Sequence, residues 1–230
     1  MRICAAPPFA TDVAISGDTV WRPHDLLKLR RLRSFDGEPA WVRDAFARAP
    51  FAVVRRAQAA AGFIAIGVRG GARGERYGTW AEAGDIETAI ALEDLMDVVP
   101  SGDRRALPAF LALAELRRRS AASLDPFARG PAGSVGFELA TRVPAVTPSS
   151  DLDLLVRTPT RLSREIAVTL LTELQTHAER HHIRIDVQLE TPAGGVALAE
   201  FAAGKARVMA RHAQGPRLVA DPWHAEMTDT

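Results

Sequence analysis

Three aspartates in the second half of the chain have the spacing of a metal site. Asp151 and Asp153 lie two residues apart in SDLDLLV, and Asp186 lies in IRIDVQLE. Residues i and i+2 of a β-strand project to the same face, so Asp151 and Asp153 stand side by side while Leu152 and Leu154 point to the core. Adjacent carboxylates repel each other unless a cation lies between them. The sequence therefore predicts that the three aspartates are catalytic metal ligands.

Magnesium is the ion that this set of ligands favours, and Mn²⁺ is an alternative. Mg²⁺ prefers carboxylate and phosphate oxygens, and two such ions can hold both the entering and the leaving oxygen of a phosphoryl displacement. Gly133 and Ser134 fit the same chemistry. A Gly-Ser turn lets the backbone approach a triphosphate, while the hydroxyl and neighbouring N–H groups donate hydrogen bonds. We expect these two residues to bind the donor phosphates.

Arginines of the first half are further candidates for phosphate contacts. They are Arg55, Arg56, Arg69, Arg73 and Arg76. The segment RGGARGERYG, residues 69–78, lacks the Lys-Ser/Thr ending of a P-loop. Its arginines either bind phosphates, for which guanidinium groups are well shaped, or are solvated on a flexible surface loop. An acidic protein surface is the other partner that such a cluster would attract.

Hydrophobic spacing predicts the elements that position these residues. Helical spacing indicates helices at 21–33, 107–119 and 162–182, the last capped by Ser163. Apolar runs rich in Val and Ile predict a hairpin of strands at 51–56 and 63–69, and strict alternation predicts a strand at 183–190. We expect an α+β protein with an N-terminal α/β module, residues 1–100, and a C-terminal catalytic domain, residues 101–230.

Composition narrows the class of protein. The chain has 230 residues, with 29 Lys and Arg against 28 Asp and Glu, so its net charge of +1 gives no general reason to bind nucleic acid or a membrane surface. No segment approaches the roughly 20 apolar residues of a transmembrane helix. The single cysteine, Cys4, excludes an intramolecular disulfide. These features predict a cytoplasmic protein.

A few other residues have chemically active side chains. His177 and His181 are one helical turn apart, but no further ligand accompanies them, so solvated residues at a helix C-terminus are expected rather than a metal site. Trp223 is expected to be a packing residue, with stacking on an adenine as the alternative. Cys4 is assigned no catalytic role.

The Gly-Ser pair, the Asp-x-Asp strand and the later aspartate together resemble the nucleotidyltransferase superfamily, which includes the polymerase beta palm. The interval from Val135 to Ser150 is longer than that superfamily usually has, and an insertion at 143–148 would account for it. Seven segments carry a narrower resemblance: WRPHDLL, VVRRA, GVRG, GSVGFELAT, TPSSDLDLLVR, DVQLETPAGGVALAEF and GPRLVADPW, which begin at residues 21, 53, 67, 133, 147, 186 and 215. Together they span most of the chain and resemble the phosphoribosyl-dephospho-CoA transferases of malonate decarboxylase.

This resemblance implies a palm-like mixed sheet and a group transfer. The donor would be triphosphoribosyl-dephospho-CoA, the acceptor a serine of the apo acyl carrier protein of malonate decarboxylase, and the second product pyrophosphate. Two other functions stay open. One is a different nucleotidyltransferase, which adenylylates a protein or a small molecule, and the other is a carrier-binding module without turnover.

Overall fold

A computed structural model of the chain describes residues 3–6, 21–72, 74–118 and 126–224. The chain forms two compact units, Met1–Ala91 and Leu92–Thr230. Each unit contains one six-stranded sheet together with helices. The predicted α+β class is confirmed. In the described part of the chain, no helix is both long enough and apolar enough to cross a bilayer.

In its described residues, the N-terminal unit is a largely antiparallel sheet with one α-helix. Its strands are β1 (Ile3–Cys4), β2 (Leu26–Leu29), β3 (Phe51–Val54), β4 (Phe63–Arg69), β5 (Arg76–Glu82) and β6 (Ile86–Ile90), and its helix is α1 (Trp41–Arg48). The strand order is β1-β5-β4-β3-β2-β6, and only the β1–β5 pair is parallel among these strands. The predicted hairpin of β3 and β4 is confirmed.

The helix predicted at 21–33 is wrong. Residues Leu26–Leu29 form β2, which pairs with β3 on one side and β6 on the other. The run LLKL is short, and three of its residues are apolar, so periodicity alone does not separate a buried strand from a helical turn. Pairing on both edges decides the outcome, because it satisfies the backbone and buries Leu26, Leu27 and Leu29.

In the residues that the structure describes, the C-terminal unit is a mixed sheet with four α-helices. The strands are β7 (Arg129–Pro131), β8 (Leu152–Arg157), β9 (Ile185–Thr191), β10 (Gly194–Ala197), β11 (Val208–His212) and β12 (Gly215–Val219). The helices are α2 (Pro108–Arg118), α3 (Gly133–Thr141), α4 (Arg164–Arg180) and α5 (Leu198–Ala202). The strand order is β12-β11-β10-β9-β8-β7, and β8 and β9 are parallel.

The helices and the strands predicted in this unit are confirmed with bounds that differ by one or two residues, but β8 begins at Leu152, so Asp151 precedes the strand in which it was predicted. Helix α2 and strand β9 lie where the spacing predicts them, and Ser163 caps α4 by accepting a hydrogen bond from the Ile166 N–H at 3.2 Å. Parallel strands need a crossover, and α4 supplies it between β8 and β9. The helix α3 was not predicted, because the Gly-Ser pair was interpreted only as a turn.

Strand β8 has one fully apolar face. Leu152, Leu154 and Val156 are buried on that face, and helices α2, α4 and α5 contact β8 or β9. On the opposite face Leu155 and Arg157 are also buried, and Arg157 donates to Glu93 at 2.5 Å. The half-buried Asp153 is therefore the residue at which this face opens to solvent.

Candidate active site

The register of β8 and β9 brings two of the predicted ligands together. Asp153 and Asp186 are each the second residue of their strand, and they are direct partners across the parallel pair. Partners in register project to the same face, so the two carboxylates emerge side by side. Asp151 lies just before β8 and projects to the same side as Asp153.

A guanidinium group lies between two of these carboxylates. Arg184 Nη2 is 2.8 Å from Asp151 Oδ2 and 2.7 Å from Asp186 Oδ2. Hydrogen bonding to Asp186 and the charges of Asp186, Asp151 and Asp153 raise the pKa of Arg184 above its ordinary value. Across the described ranges, no three His, Cys, Asp or Glu side chains are grouped so as to hold a metal ion. A cation does, however, already connect Asp151 with Asp186.

The Gly-Ser pair lies against Asp153. Gly133 is the first residue of α3 and has a φ of 57°, which is the left-handed region. A Cβ at this position would be 1.9 Å from Asp153 Oδ2, so the carboxylate lies against the bare Cα of the glycine. The backbone N–H of Ala132 donates to the Asp153 carbonyl at 2.8 Å. Ser134 is buried in the first turn of the helix, where N–H groups lack intrahelical acceptors.

An ion pair one turn further along α3 fixes the segment that leads into Asp151. Glu138 is buried and pairs with Arg104, while its Oε2 accepts hydrogen bonds from the N–H groups of Ala145 at 2.7 Å and Val146 at 2.8 Å. Burial on its own raises the pKa of Glu138, but the hydrogen bonds from Arg104 and the two backbone groups outweigh it and lower the pKa. The helix that carries Ser134 and the segment before Asp151 are thus joined through one carboxylate.

Three of the predicted arginines lie on one face of the N-terminal sheet. Arg69 and Arg76 are direct cross-strand partners, and the Arg55 N–H bonds the Ala65 carbonyl, so strand alternation places all three side chains on the same side. Arg55 lies across two glycines that are partners in β4 and β5, where a Cβ on Gly78 would be 2.3 Å from Arg55 Nη1.

The remaining arginines differ in position. Arg56 follows β3 in a bend and is half-buried, and Arg73 lies outside the described residues. Between β4 and β5, Glu75 accepts a hydrogen bond from the Ala72 N–H at 2.8 Å. Part of the predicted loop is therefore strand, since β5 begins at Arg76.

The histidines of α4 are not the solvated residues that we predicted. His181 Nε2 is 2.6 Å from Glu115 Oε2, and His177 Nδ1 is 3.5 Å from Glu115 Oε1, with all three side chains less than 20% exposed. Glu115 belongs to α2, so the cluster ties two helices together. The packing role predicted for Trp223 is confirmed, since its half-buried ring contacts Phe201 edge-on at 5.1 Å and its Nε1 donates to the Thr158 carbonyl.

No role is predicted from the sequence for Arg184, Glu138 or Glu115. For Arg184 a signal exists, because alternation in IRIDVQLE places it on the face of Asp186. Glu138 carries the weaker signal of a charged residue in an otherwise apolar helix. The charged partner of Glu138 lies 34 residues away and those of Glu115 more than 60, so no local pattern identifies these ion pairs.

Family models indicate the class of protein to which this fold and site belong. Two family models match, the phosphoribosyl-dephospho-CoA transferase MdcG N-terminal domain over residues 22–91 and the MdcG C-terminal domain over residues 94–222. Both describe parts of one transferase, and together they cover most of the chain. No solved structure matches.

Curated relatives agree with these models. A phosphoribosyl-dephospho-CoA transferase of Pseudomonas aeruginosa is 43% identical over 204 residues, which is 87% of this chain and 93% of that protein. One from Azotobacter vinelandii is 40% identical over 210 residues, 88% of this chain and 94% of that protein. One from Pseudomonas fluorescens is 38% identical over 213 residues, 92% of this chain and 98% of that protein. The chain belongs to the phosphoribosyl-dephospho-CoA transferase family.

Proposed function

We propose that this protein transfers phosphoribosyl-dephospho-CoA from triphosphoribosyl-dephospho-CoA to a serine of the apo acyl carrier protein of malonate decarboxylase, with release of pyrophosphate. The observation that carries the proposal is the position of Asp153, which lies against the start of α3 and beside Asp186 in the next strand. Membership of the transferase family supports the donor. Family membership does not itself identify the carrier protein of malonate decarboxylase as the acceptor or pyrophosphate as the second product, and we propose both.

The reaction is a substitution at phosphorus. The serine Oγ of the carrier forms a bond to the α-phosphorus of the donor, and the bond from that phosphorus to the oxygen bridging to the β-phosphate breaks. Pyrophosphate leaves with that oxygen and its electron pair. Asp186, whose side chain is 49% exposed against 20% for Asp151, takes the serine proton. Such transfers depend on alignment and on stabilising charge more than on covalent chemistry.

Residues at the start of α3 bind the leaving group. We assign Ser134 to the terminal phosphates, because a buried serine in the first turn presents its hydroxyl next to helix N–H groups that favour anions. Gly133 brings this backbone against Asp153, which no residue with a Cβ would allow without a shift. The nucleophile belongs to the partner, so no serine or cysteine of this chain forms a covalent intermediate.

Asp151, Asp153 and Asp186 are the residues that would hold Mg²⁺, two ions in our proposal, with Mn²⁺ as a substitute. The chemistry of the ligand set fits, because all three groups are carboxylates on one side of the β8–β9 pair and Asp151 and Asp186 already share a cation in Arg184. Among the described residues the three carboxylates are not grouped closely enough to hold an ion, so binding would draw them together. When bound, the ions would neutralise charge on the phosphates and on the leaving oxygen. The combination of Gly-Ser helix start, Asp-x-Asp strand and parallel neighbour supports assigning this unit to the palm-like nucleotidyltransferases.

Arginines of the N-terminal sheet supply the second part of the proposal. Arg55, Arg69 and Arg76 share one face around two small residues, and with Arg56 and Arg73 they are candidates for contacts with donor phosphates or with an acidic carrier protein. Guanidinium groups bind phosphate and carboxylate through paired hydrogen bonds. Complementary charge would also speed the encounter with the carrier.

The experiment that tests the function weighs the carrier protein. The full chain is incubated with Mg²⁺, the apo carrier and either triphosphoribosyl-dephospho-CoA or ATP, and the carrier is analysed by intact mass spectrometry. A phosphoribosyl-dephospho-CoA adduct with pyrophosphate in solution supports the proposal. An AMP adduct would mean adenylyl transfer, and binding without a mass change would mean a carrier-binding module.

Replacing the ligands tests the mechanism. Asp151→Asn or Asp153→Asn removes one negative charge without changing side-chain size, and we expect transfer to fall about 1,000-fold or more while the fold persists. Asp103→Asn, at an exposed aspartate of the same unit, is the control and should transfer normally. Transfer at the wild-type rate by Asp153→Asn would eliminate the metal-site mechanism.

A further inference from the structure

Arg184 contacts two of the three carboxylates, Asp151 just before β8 and Asp186 in β9. It lies two residues before Asp186, so both side chains project to the same side of β9. Its Nη2 touches Asp151 Oδ2 and Asp186 Oδ2, and its Nε donates a second hydrogen bond to Asp186 at 2.8 Å. One positive charge is therefore shared between two of the three carboxylates at this end of the sheet.

The guanidinium group approaches from the solvent side. The side chain of Arg184 is 68% exposed, whereas that of Asp151 is 20% exposed. Ion pairs that water reaches are weak, because hydration and screening offset most of the attraction between the charges. Arg184 can therefore leave its partners at a small cost in free energy. Asp153 stays in place because it belongs to β8, and Asp151 stays in place because β8 begins at the next residue.

We propose that Arg184 is a positioning residue. Its guanidinium group holds Asp151 and Asp186 together in the metal-free protein, and the divalent ion displaces that group when the ion binds. The inference rests on the proposed metal site. The oxygens that accept hydrogen bonds from Arg184 are oxygens that the ion needs, and a guanidinium group and a divalent cation repel each other at such distances. Occupancy by one therefore excludes the other.

Two consequences follow from this competition. Without Arg184 the three carboxylates repel one another, so the metal-free protein should lose some stability. At the same time the metal no longer competes with an internal cation, so its apparent affinity should rise. A group that is merely structural would lower stability without raising metal affinity.

The test measures Mn²⁺ binding to the full chain by electron paramagnetic resonance, without donor or carrier. We expect Arg184→Gln to bind Mn²⁺ about three- to tenfold more tightly than the wild type, since the competing pairs are exposed. Arg184→Lys keeps the charge but loses the fork, and its affinity should fall between the two. The thermal midpoint of Arg184→Gln in EDTA should lie below that of the wild type, and Mn²⁺ should narrow the difference.

Arg161→Gln is the matched control. The side chain of Arg161 is also 68% exposed and also pairs with a carboxylate, Asp221, at 2.6 Å. Its replacement removes the same charge, and we expect Mn²⁺ affinity to stay unchanged. Equal tightening in Arg161→Gln and Arg184→Gln would mean a general charge effect and would overturn the proposal.

Asp153→Asn separates this inference from the proposed function. If Asp153→Asn abolishes Mn²⁺ binding but Arg184→Gln binds no more tightly than the wild type, the metal site stands and the role of Arg184 is refuted. If no variant and no wild-type protein binds Mn²⁺, both proposals fail.

Discussion

Replacement of Gly133 by alanine separates backbone strain from displacement of a catalytic carboxylate. Gly133 has a φ of 57°, and an alanine in that conformation loses about 1 to 2 kcal/mol. Its Cβ would also lie 1.9 Å from Asp153 Oδ2 and 2.8 Å from the Asp153 Cγ. The carboxylate must move by about 1 Å or more to restore normal contact, and a misplacement of that size costs about 100-fold in rate. We therefore expect a modest loss of stability and a large loss of transfer.

Gly102→Ala provides the comparison. Gly102 lies in the same unit with a φ of 50°, and a Cβ there would meet nothing within 4 Å. Both variants should lose similar free energy of unfolding in urea, and only Gly133→Ala should lose transfer, measured as the initial rate of carrier modification by mass spectrometry. A rate for Gly133→Ala within about threefold of Gly102→Ala would refute the argument, because an error of about 1 Å at the reacting groups predicts far more.

Two further outcomes depend on charges outside the carboxylate cluster. Glu138→Ala leaves the partly buried Arg104 without its partner and should cost about 3 kcal/mol in urea unfolding. Because the folded state lowers the pKa of Glu138 below its ordinary 4.5, the stability it contributes is complete above that pH and is lost as the pH falls through the lowered value. Unfolding curves of the wild type and Glu138→Gln should therefore converge in acid, and a constant gap would contradict this. Arg76→Ala should raise the donor KM or the salt-sensitive carrier Kd about tenfold, whereas Arg48→Ala in α1 should change neither.

The sequence was sufficient to predict the sheet of the C-terminal unit around the aspartates. Strict alternation in β9 and the apolar run in β8 each identify a face, and the long helix α4 between them implies a parallel crossover. The pairing of Asp153 with Asp186 follows once the two apolar faces are buried on the same side. These are local patterns with periods of 2 and 3.6, which a single sequence displays directly.

Other features depend on contacts that are distant in the chain. Hydrophobic spacing predicts a helix where strand β2 forms. The four residues of β2 acquire strand geometry from pairing with β3 and β6 rather than from their own pattern. The helix α3 was not predicted, because a Gly-Ser pair such as the one at its start is equally compatible with a turn. His177 and His181 were expected in solvent, because the sequence does not show that Glu115 of α2 lies opposite them.

The core, rather than the polar residues, determines the geometry of the candidate site. A slip of one residue between β8 and β9 would turn Asp186 to the face opposite Asp153. Hydrogen bonds at both ends of the pair oppose that slip, from the Leu152 N–H to the Arg184 carbonyl at 2.9 Å and from the Thr158 N–H to the Glu190 carbonyl at 2.8 Å. Slippage would also expose a row of leucines and valines whose burial is worth about 2 kcal/mol each. The carboxylates can therefore repel one another without separating, because the free energy that fixes the register comes from the opposite, apolar face of the same strands.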